Sequence, residues 1–403
     1  MNPDSFHPDR KTGRLVHAGF NRFRIEDGKP VEIREDGWAF LPDAMPGLRD
    51  VLEDTTTLLP MHERAVALLG RLDGVFRDNP GGLNINPSVI YQPLRLREAR
   101  LSSKIENTIA SAAEIAAARV IRATRSEPHE VMNYINAIEQ GADRDGPVTE
   151  AHIRALHSEL LSGLPESDSK YPGRYRPKQV MIGDEGRSFA DARFVPPPPE
   201  EVPMLMRDLV AYMRDPPEGM PSLFVAAIVH YQFEAIHPFA DGNGRLGRML
   251  ITLSLCGETL LSRPLIYPSG YINQHKQEYY DLLLRISTHG AWSDWIEYFL
   301  RMVIAETGST IDRLRRLMSL RQSYLNRVRD RSLGQRFTDA IDSLFEQSVL
   351  TARDLHKRIG GSEQTARNYI GLMLEKGILM HLQDLGKVRF YYAPEIHQVA
   401  DED

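Results

Sequence analysis

Apolar residues recur at three- and four-residue intervals through most of the chain, which predicts a mainly α protein. From Leu58 onward, LPMHERAVALLGRLDGVF has helical spacing. LREARLSSKIENTIASAAEIAAARV, rich in Ala and without Gly or Pro, predicts one long helix. EPHEVMNYINAIEQGA and VTEAHIRALHSELLSGL predict two more, with Thr149 placed three residues before His152 as a cap. The pattern then changes. YPGRYRPKQVMIGDEGRSFADARFVPPPPEEV holds two β-like runs, QVMI and ARFV, around a GDEG turn, and reads as a hairpin that must lie across something. Helical spacing returns in EEVPMLMRDLVAYM, LFVAAIVHYQFEAI, GRMLITLSLC, NQHKQEYYDLLLRIS and SDWIEYFLRMVIAETGSTIDRLRRLM.

The ends differ from this middle. Residues 1–54 are mixed, with EDGKP and REDGW as turn signals, and read as a loosely structured lead-in with short strands. The basic segment RDRSLGQ suggests a boundary. After it come RFTDAIDSLFEQ, TARDLHKRIG and SEQTARNYIGLMLEKGIL as three amphipathic helices, then MHLQDLGKVRFYYAP as two β-runs around Leu385-Gly386. Three helices and a hairpin are similar to a winged helix-turn-helix. The expected organisation is thus a lead-in at 1–54, a helical region at 55–146, a central domain at 147–320 and a winged helix at 332–398.

Composition narrows the class. The formal charge of −6 gives no global attraction to nucleic acid or to an anionic membrane, and no stretch approaches the length of a bilayer span. No apolar leader opens the chain, so a cytoplasmic protein with no membrane partner is expected. The single cysteine, Cys256, lies in the apolar run MLITLSLC and reads as a buried structural thiol.

The chemistry concentrates in HPFADGNGRLGR, residues 237–248. GNGRLG has the G-x-G-x-x-G spacing of a dinucleotide loop, but a helical pattern precedes it and no parallel strand follows, so a Rossmann site is excluded. A Walker A loop is excluded for want of G-K-[ST]. A helix ending near Ile236, a tight loop and a helix starting near Gly244 would instead aim the N–H groups of Gly242 to Arg245 at an anion. Arg245 and Arg248 share a helix face and suit a polyphosphate. Asp241 beside them suits a Mg²⁺ bridging phosphate oxygens, and His237 is placed to take a proton from an attacking hydroxyl. The competing reading is a capped helix with exposed arginines and a turn-stabilising histidine.

HPFADGNGRLGR resembles the Fic motif, H-x-F-x-[DE]-G-N-G-R-x-x-R, at every specified position. SSKIENT, with Ser102, Glu106 and Asn107, is similar to the [ST]-x-x-x-E-[GN] inhibitory motif of that family. The resemblance covers roughly residues 50–400 and implies a Fic-type helical bundle with a β-hairpin flap. It also implies protein adenylylation: AMP passes from ATP to a Tyr, Thr or Ser hydroxyl and pyrophosphate leaves. His237 would be the general base, Phe239 would fix the loop, and Asp241 would ligate Mg²⁺. Gly242, Asn243, Gly244, Arg245, Leu246, Gly247 and Arg248 would bind ATP, Arg248 at the γ-phosphate. Tyr279 and Tyr280 would meet the base, with one of the two a core residue, and Ile182 and Gly183, near the flap turn, would also bind ATP. The target protein would dock along residues 179–195 by β-augmentation, and Arg193 and Phe194 would touch the nucleotide or the target.

Ser102 and Glu106, four apart, would face one side of their helix, and Glu106 would restrain the enzyme by pairing with Arg248. The same Glu106 could position a water and reverse the modification. Self-modification and a homodimer belong to the same expectations. His230 reads as a core histidine, since nothing nearby completes a metal set. Arg367, Lys376, Lys387 and Arg389 form a modest basic set on the winged helix, with Glu363 and Glu375 interspersed, so protein contact or dimerisation competes there with DNA. The rivals are a nucleotide-sensing transcriptional regulator and a Fic enzyme using another donor.

Overall fold

The computed structural model describes residues 1–26, 29–51, 55–77, 87–111, 114–115, 126–144, 146–165, 167–183, 191–256, 260–328, 333–385 and 388–402. The chain forms two compact units that interleave along the sequence. The first comprises Met1–Ala67, Asn136–Pro264 and Tyr271–Ile304; the second comprises Leu68–Ile135, Leu265–Gly270 and Ala305–Asp403.

The first unit begins with a long hairpin where short strands were expected. Strands β1 (Gly13–Glu26) and β2 (Lys29–Pro42) pair antiparallel from Gly13↔Pro42 to Glu26↔Lys29. REDGW makes no turn: Asp36 and Gly37 run through β2 opposite Gly19 and Ala18. The ladder gives alternate residues of this stretch backbone hydrogen bonds across the hairpin, and that pairing outweighs the local turn preference of Asp-Gly. The tip residues 27–28, where EDGKP predicts a turn, lie outside the described residues. At its base the hairpin buries Ala39, Phe40 and Leu41.

Beyond the hairpin the chain is mainly helical. Helix α1 (Leu48–Val51) and α2 (Thr55–Arg77) precede α3 (Pro87–Ile105) and α4 (Glu127–Ala142). Next come α5 (Glu150–Leu160), α6 (Val202–Arg214), α7 (Ser222–Ile236) and α8 (Asn243–Ser254). Thr149 caps α5 as expected, accepting from the His152 N–H at 3.2 Å. Helix α7 is apolar on nearly all sides, and Leu223, Phe224, Ala227, Ile228, Phe233 and Ile236 are fully buried, so it forms the centre of this unit. It packs against α8 at Gly247, where a β-carbon would collide with Phe233 and Glu234. Helices α9 (Ser269–Gln274), α10 (Lys276–His289) and α11 (Trp292–Arg327) follow; the Trp295 indole donates to the Ala227 carbonyl of α7 at 2.9 Å.

In the second unit, α3 stops where the sequence pattern continues. The Ala-rich run predicts a helix through Val120, yet α3 ends at Ile105; residues 114–115 are helical again, and residues 112–113 and 116–120 lie outside the described residues. Asn107 adopts the left-handed conformation (φ 64°), its N–H reaches the Lys104 carbonyl at 3.0 Å, and the Thr108 N–H reaches Ser103 at 2.9 Å. These two bonds form a Schellman cap in which Glu106 is the C-cap residue. Ser102 is fully buried on α3, whereas Glu106 and Asn107 are exposed, so Ser102 and Glu106 do not share one continuous helix face.

The C-terminal elements follow the predicted order. Helices α12 (Gly334–Glu346), α13 (Ala352–Ile359) and α14 (Glu363–Glu375) match the three amphipathic runs. Strands β4 (Met380–Leu385) and β5 (Val388–Tyr392) match the two β-runs, and residues 386–387 between them lie outside the described residues. A short β3 (Val349–Leu350) adds to give the antiparallel order β3-β5-β4, and α15 (Pro394–Asp401) ends the chain's described helices. Lys387 of the expected basic set lies outside the described residues. Arg367 lies 2.6 Å from Glu363, Lys376 3.0 Å from Glu375 and Arg389 3.9 Å from Asp384, so each described cation of the set has a carboxylate beside it.

Candidate active site

Pro238 shapes the loop between α7 and α8. The residue before a proline is driven away from the right-handed helical region, so α7 ends at Ile236 and His237 leaves it. His237 adopts φ 49° and ψ 61°, uncommon for a residue with a β-carbon, and its N–H still reaches the Phe233 carbonyl at 2.9 Å. That conformation places a half-buried imidazole at the loop mouth.

Arg176 holds the turn, and sequence reasoning missed it. The side chain is 2% exposed. Nε donates to the His237 carbonyl at 2.8 Å, Nη1 to Lys178 at 3.2 Å and Nη2 to Pro197 at 2.6 Å. Its backbone N–H donates to Pro238 at 2.9 Å. One guanidinium therefore ties the His237 turn to both arms of the expected flap. Burial lowers its pKa to about 10, with Glu200 working in the opposite sense, and the group stays charged at neutral pH.

The Asn243 side chain braces the loop. Its Nδ2 donates to the Phe239 carbonyl at 2.8 Å and its Oδ1 accepts from the Phe239 N–H at 2.9 Å. The amide thus closes the loop on itself, buried at 2% exposure, and its side chain is not available to an anion. Phe239 is fully buried, as expected, and stacks on the His157 ring at 3.8 Å. His157, on α5, accepts from the Gly173 N–H at Nδ1 (2.9 Å), so its Nε2 carries the proton and donates to the Asp241 carbonyl at 3.0 Å. Burial drops its pKa to about 4, which keeps the ring neutral.

Helix α8 opens with Gly242 at φ 79° as an N-cap that offers no side chain. A larger residue there would be strained by the backbone, although its β-carbon would make only ordinary contact with His157. The Gly242 N–H, expected to point at an anion, is taken by Asp241 Oδ1 at 2.6 Å. The N-terminus beyond it, from Asn243 through Gly244 to Arg245, carries the positive end of the helix dipole. Arg245 and Arg248 follow on the first turns, both at 3% exposure or less. Asp241 Oδ1 lies 3.6 Å from Arg245 and Oδ2 lies 2.6 Å from Lys170. Burial would raise the Asp241 pKa, but Lys170, Arg245 and the Gly242 N–H outweigh it and hold the carboxyl below its usual value.

Beside this loop lies the segment expected to form the flap. Its two runs are not strands; among the described residues they meet in one antiparallel bridge, Ile182↔Phe194, with N–H···O distances of 2.8 and 3.1 Å. Residues 184–190, including the GDEG turn beyond Gly183, lie outside the described residues. Phe194 packs on Phe40 at 5.7 Å, the Phe40 N–H donates to Val195 at 2.9 Å, and Arg193 pairs with Asp281 of α10 at 2.5 Å. The hairpin β1-β2 is thus what the flap lies across. On α10, Tyr279 is the core member of the tyrosine pair: it is 1% exposed and its hydroxyl donates to Nε2 of His230 at 2.8 Å. Tyr280 is half-buried, with Lys276 5.9 Å over its ring. His230 is the core histidine expected, fully enclosed, with Nδ1 donating to Gly247 at 3.1 Å. Cys256 is likewise buried, its thiol donating to Thr252 at 3.1 Å.

The Fic/DOC family model matches residues 147–255, and the Fic/DOC family N-terminal model matches residues 59–143. The chain is a Fic family protein. It is 30% identical over 182 residues to Protein adenylyltransferase Fic of Aedes aegypti, covering 45% of this chain and 32% of that protein. A probable protein adenylyltransferase of Aquifex aeolicus is 36% identical over 115 residues, covering 28% and 32%. The Fic chain therefore spans about a third of the length of these curated relatives. A Fic family protein from Desulfovibrio desulfuricans G20 shares the fold with a TM-score of 0.55 at 23% identity, over 85% of this chain and 97% of that one. Among the described residues no helix is long and apolar enough to cross a membrane.

Proposed function

We propose that this Fic protein is a protein adenylyltransferase that moves AMP from ATP to a hydroxyl of a target protein and releases pyrophosphate. The observation that carries the reading is the junction of α7 and α8. A histidine held in a left-handed turn stands at the N-terminus of a helix whose cap is a glycine and whose first turns bear two buried arginines. Polyphosphate oxygens would meet the α8 N–H groups and the Arg245 and Arg248 guanidiniums, which favour charge developing at the transferring phosphorus. His237 would accept the proton of the attacking hydroxyl. Tyr280, Ile182 and Gly183 would line the base and flap side of the nucleotide.

Mg²⁺ fits this loop as a partner of the substrate. The ion is commonly held by one or two carboxylates together with phosphates, and Asp241 is the carboxylate beside the helix N-terminus. Among the described residues no group of three or more His, Cys, Asp or Glu side chains could hold a metal by itself, so the phosphates would supply the remaining ligands. When bound, the ion would neutralise charge on the phosphate oxygens.

The target would dock along residues 179–195, where Ile182 and Phe194 already pair as extended backbone and an added strand would lie beside them. Self-modification and dimerisation are part of the same reading, as is a protein contact through residues 332–398. Glu106, in the motif Ser102–Asn107, would restrain transfer. Its position at a fixed helix cap supports a defined role, because the Schellman bonds set the direction in which the residue leaves α3.

The test is label transfer from ATP carrying ³²P at α or, separately, at γ, with Mg²⁺, comparing wild type, Glu106→Gly and His237→Ala. Adenylylation with restraint requires strong α label on Glu106→Gly, little on wild type and none on His237→Ala. Uptake of γ label would make the protein a kinase, and no label in any variant would remove ATP as the donor.

A further inference from the structure

Asp241 is fully engaged by the chain's own groups. Oδ1 accepts from the Gly242 N–H at 2.6 Å and lies 3.6 Å from Arg245, while Oδ2 lies 2.6 Å from the ammonium of Lys170. Lys170 lies outside the Fic motif. It ends a short 3-10 helix, Ser167–Lys170, in the segment that leads to Gly173 and Arg176. Its side chain is 35% exposed and that of Asp241 36%, so solutes reach the pair from solvent.

This arrangement bears on how a metal enters. A Mg²⁺ bridging Asp241 and phosphate needs a carboxylate oxygen at about 2.1 Å, and an ammonium already sits on Oδ2. Lys170 and Arg245 place two positive charges against one carboxylate. A bare dication would meet repulsion from both. A dication arriving with a polyphosphate brings negative charge of its own, and the displaced ammonium would gain phosphate oxygens in place of Asp241.

We propose that Lys170 is a resident counter-ion of Asp241 that Mg²⁺ must displace, so that the loop refuses the free ion and admits it only with the polyphosphate. The inference rests on the nucleotide-transfer reading and deepens it: Lys170 is a positioning residue that sets the metal demand. The ordinary alternative is that Lys170 only tethers its 3-10 helix to the loop. A tether lost would lower Tm and leave the metal demand where it was.

Isothermal titration of ATP into the full chain at a series of free Mg²⁺ concentrations separates the two, using wild type, K170M and K170R. The quantity read is the Mg²⁺ concentration that gives half the gain in ATP affinity. K170M should need about five-fold less Mg²⁺ than wild type, the worth of one partly exposed ion pair, and K170R should stay close to wild type. An unchanged or higher Mg²⁺ demand in K170M, with Tm lowered, overturns the role of Lys170 and leaves the transfer reading standing. Wild-type ATP affinity indifferent to Mg²⁺ overturns both this inference and the Asp241–Mg²⁺ assignment. Failure of wild type to bind ATP at all overturns the donor assignment and the inference with it.

Discussion

The Asn243 side chain makes both backbone hydrogen bonds of Phe239, donating to its carbonyl at 2.8 Å and accepting from its N–H at 2.9 Å. The five-residue turn Phe239–Asn243 is closed by one amide, because an amide offers a donor and an acceptor side by side. Asn243→Ala leaves a buried N–H and C=O without partners and should cost about 2–3 kcal/mol, read as a drop in Tm. Asn243→Asp keeps the acceptor, turns a second oxygen toward the Phe239 carbonyl, and should be no better than Asn243→Ala. ATP affinity should fall in both, since the Phe239 turn carries Asp241.

Arg176 should be as sensitive, though nothing in the Fic motif names it. Arg176→Met preserves much of the volume and withdraws donors from the carbonyls of His237, Lys178 and Pro197. The expected loss is about 3 kcal/mol, from buried carbonyls left unpaired. Label transfer should decline even at a temperature where the variant remains folded, as judged by circular dichroism, because the His237 turn loses its anchor. Activity equal to wild type in a folded Arg176→Met would remove the anchoring role.

His157 makes stability depend on pH in a defined direction. Its folded pKa of about 4 lies below the ordinary value of 6.5, so above pH 6.5 the ring is neutral in both states and adds no dependence. As pH falls from 6.5 toward 4 the unfolded chain takes up a proton that the folded one refuses, and stability is lost by up to about 3 kcal/mol. His157→Gln should flatten the fall of Tm between pH 7 and pH 4.5, whatever its effect on Tm at neutral pH. His230, lowered by burial to about 3, contributes in the same sense and remains in that variant.

Asn107 should tolerate glycine and little else. Its φ of 64° is the left-handed region required at the residue after a C-cap. Asn107→Gly should leave Tm unchanged or raise it slightly, whereas Asn107→Val should lower stability by about 1–2 kcal/mol, because a β-branched side chain is poorly tolerated in the left-handed region that Asn accepts. Equal Tm for the two substitutions would show that the Schellman turn does not form.

The sequence by itself determined the local parts. Pro238 ends α7 and twists His237 out of the helix, the glycine at 242 supplies a positive φ that starts α8, and apolar spacing locates the helices and the C-terminal strands. These effects act over a few residues, so they are legible in a few residues. Where two local preferences compete, the pattern misleads. Asp36-Gly37 favours a turn, but the β1 ladder overrides it, and the Ala-rich run favours more helix, but Asn107 ends it.

Tertiary structure alone decided which distant groups meet at the loop. Arg176, His157 and Lys170 approach His237, Phe239 and Asp241 from segments far away in sequence, and no spacing rule connects them. The choice between Tyr279 and Tyr280 is of the same kind: neighbours on one helix differ because α7 presents His230 to the first and leaves the second half-exposed. Burial, ion pairing and the hydrogen-bond duty of a side chain belong to three-dimensional neighbourhoods, and the chain must close on itself before they exist.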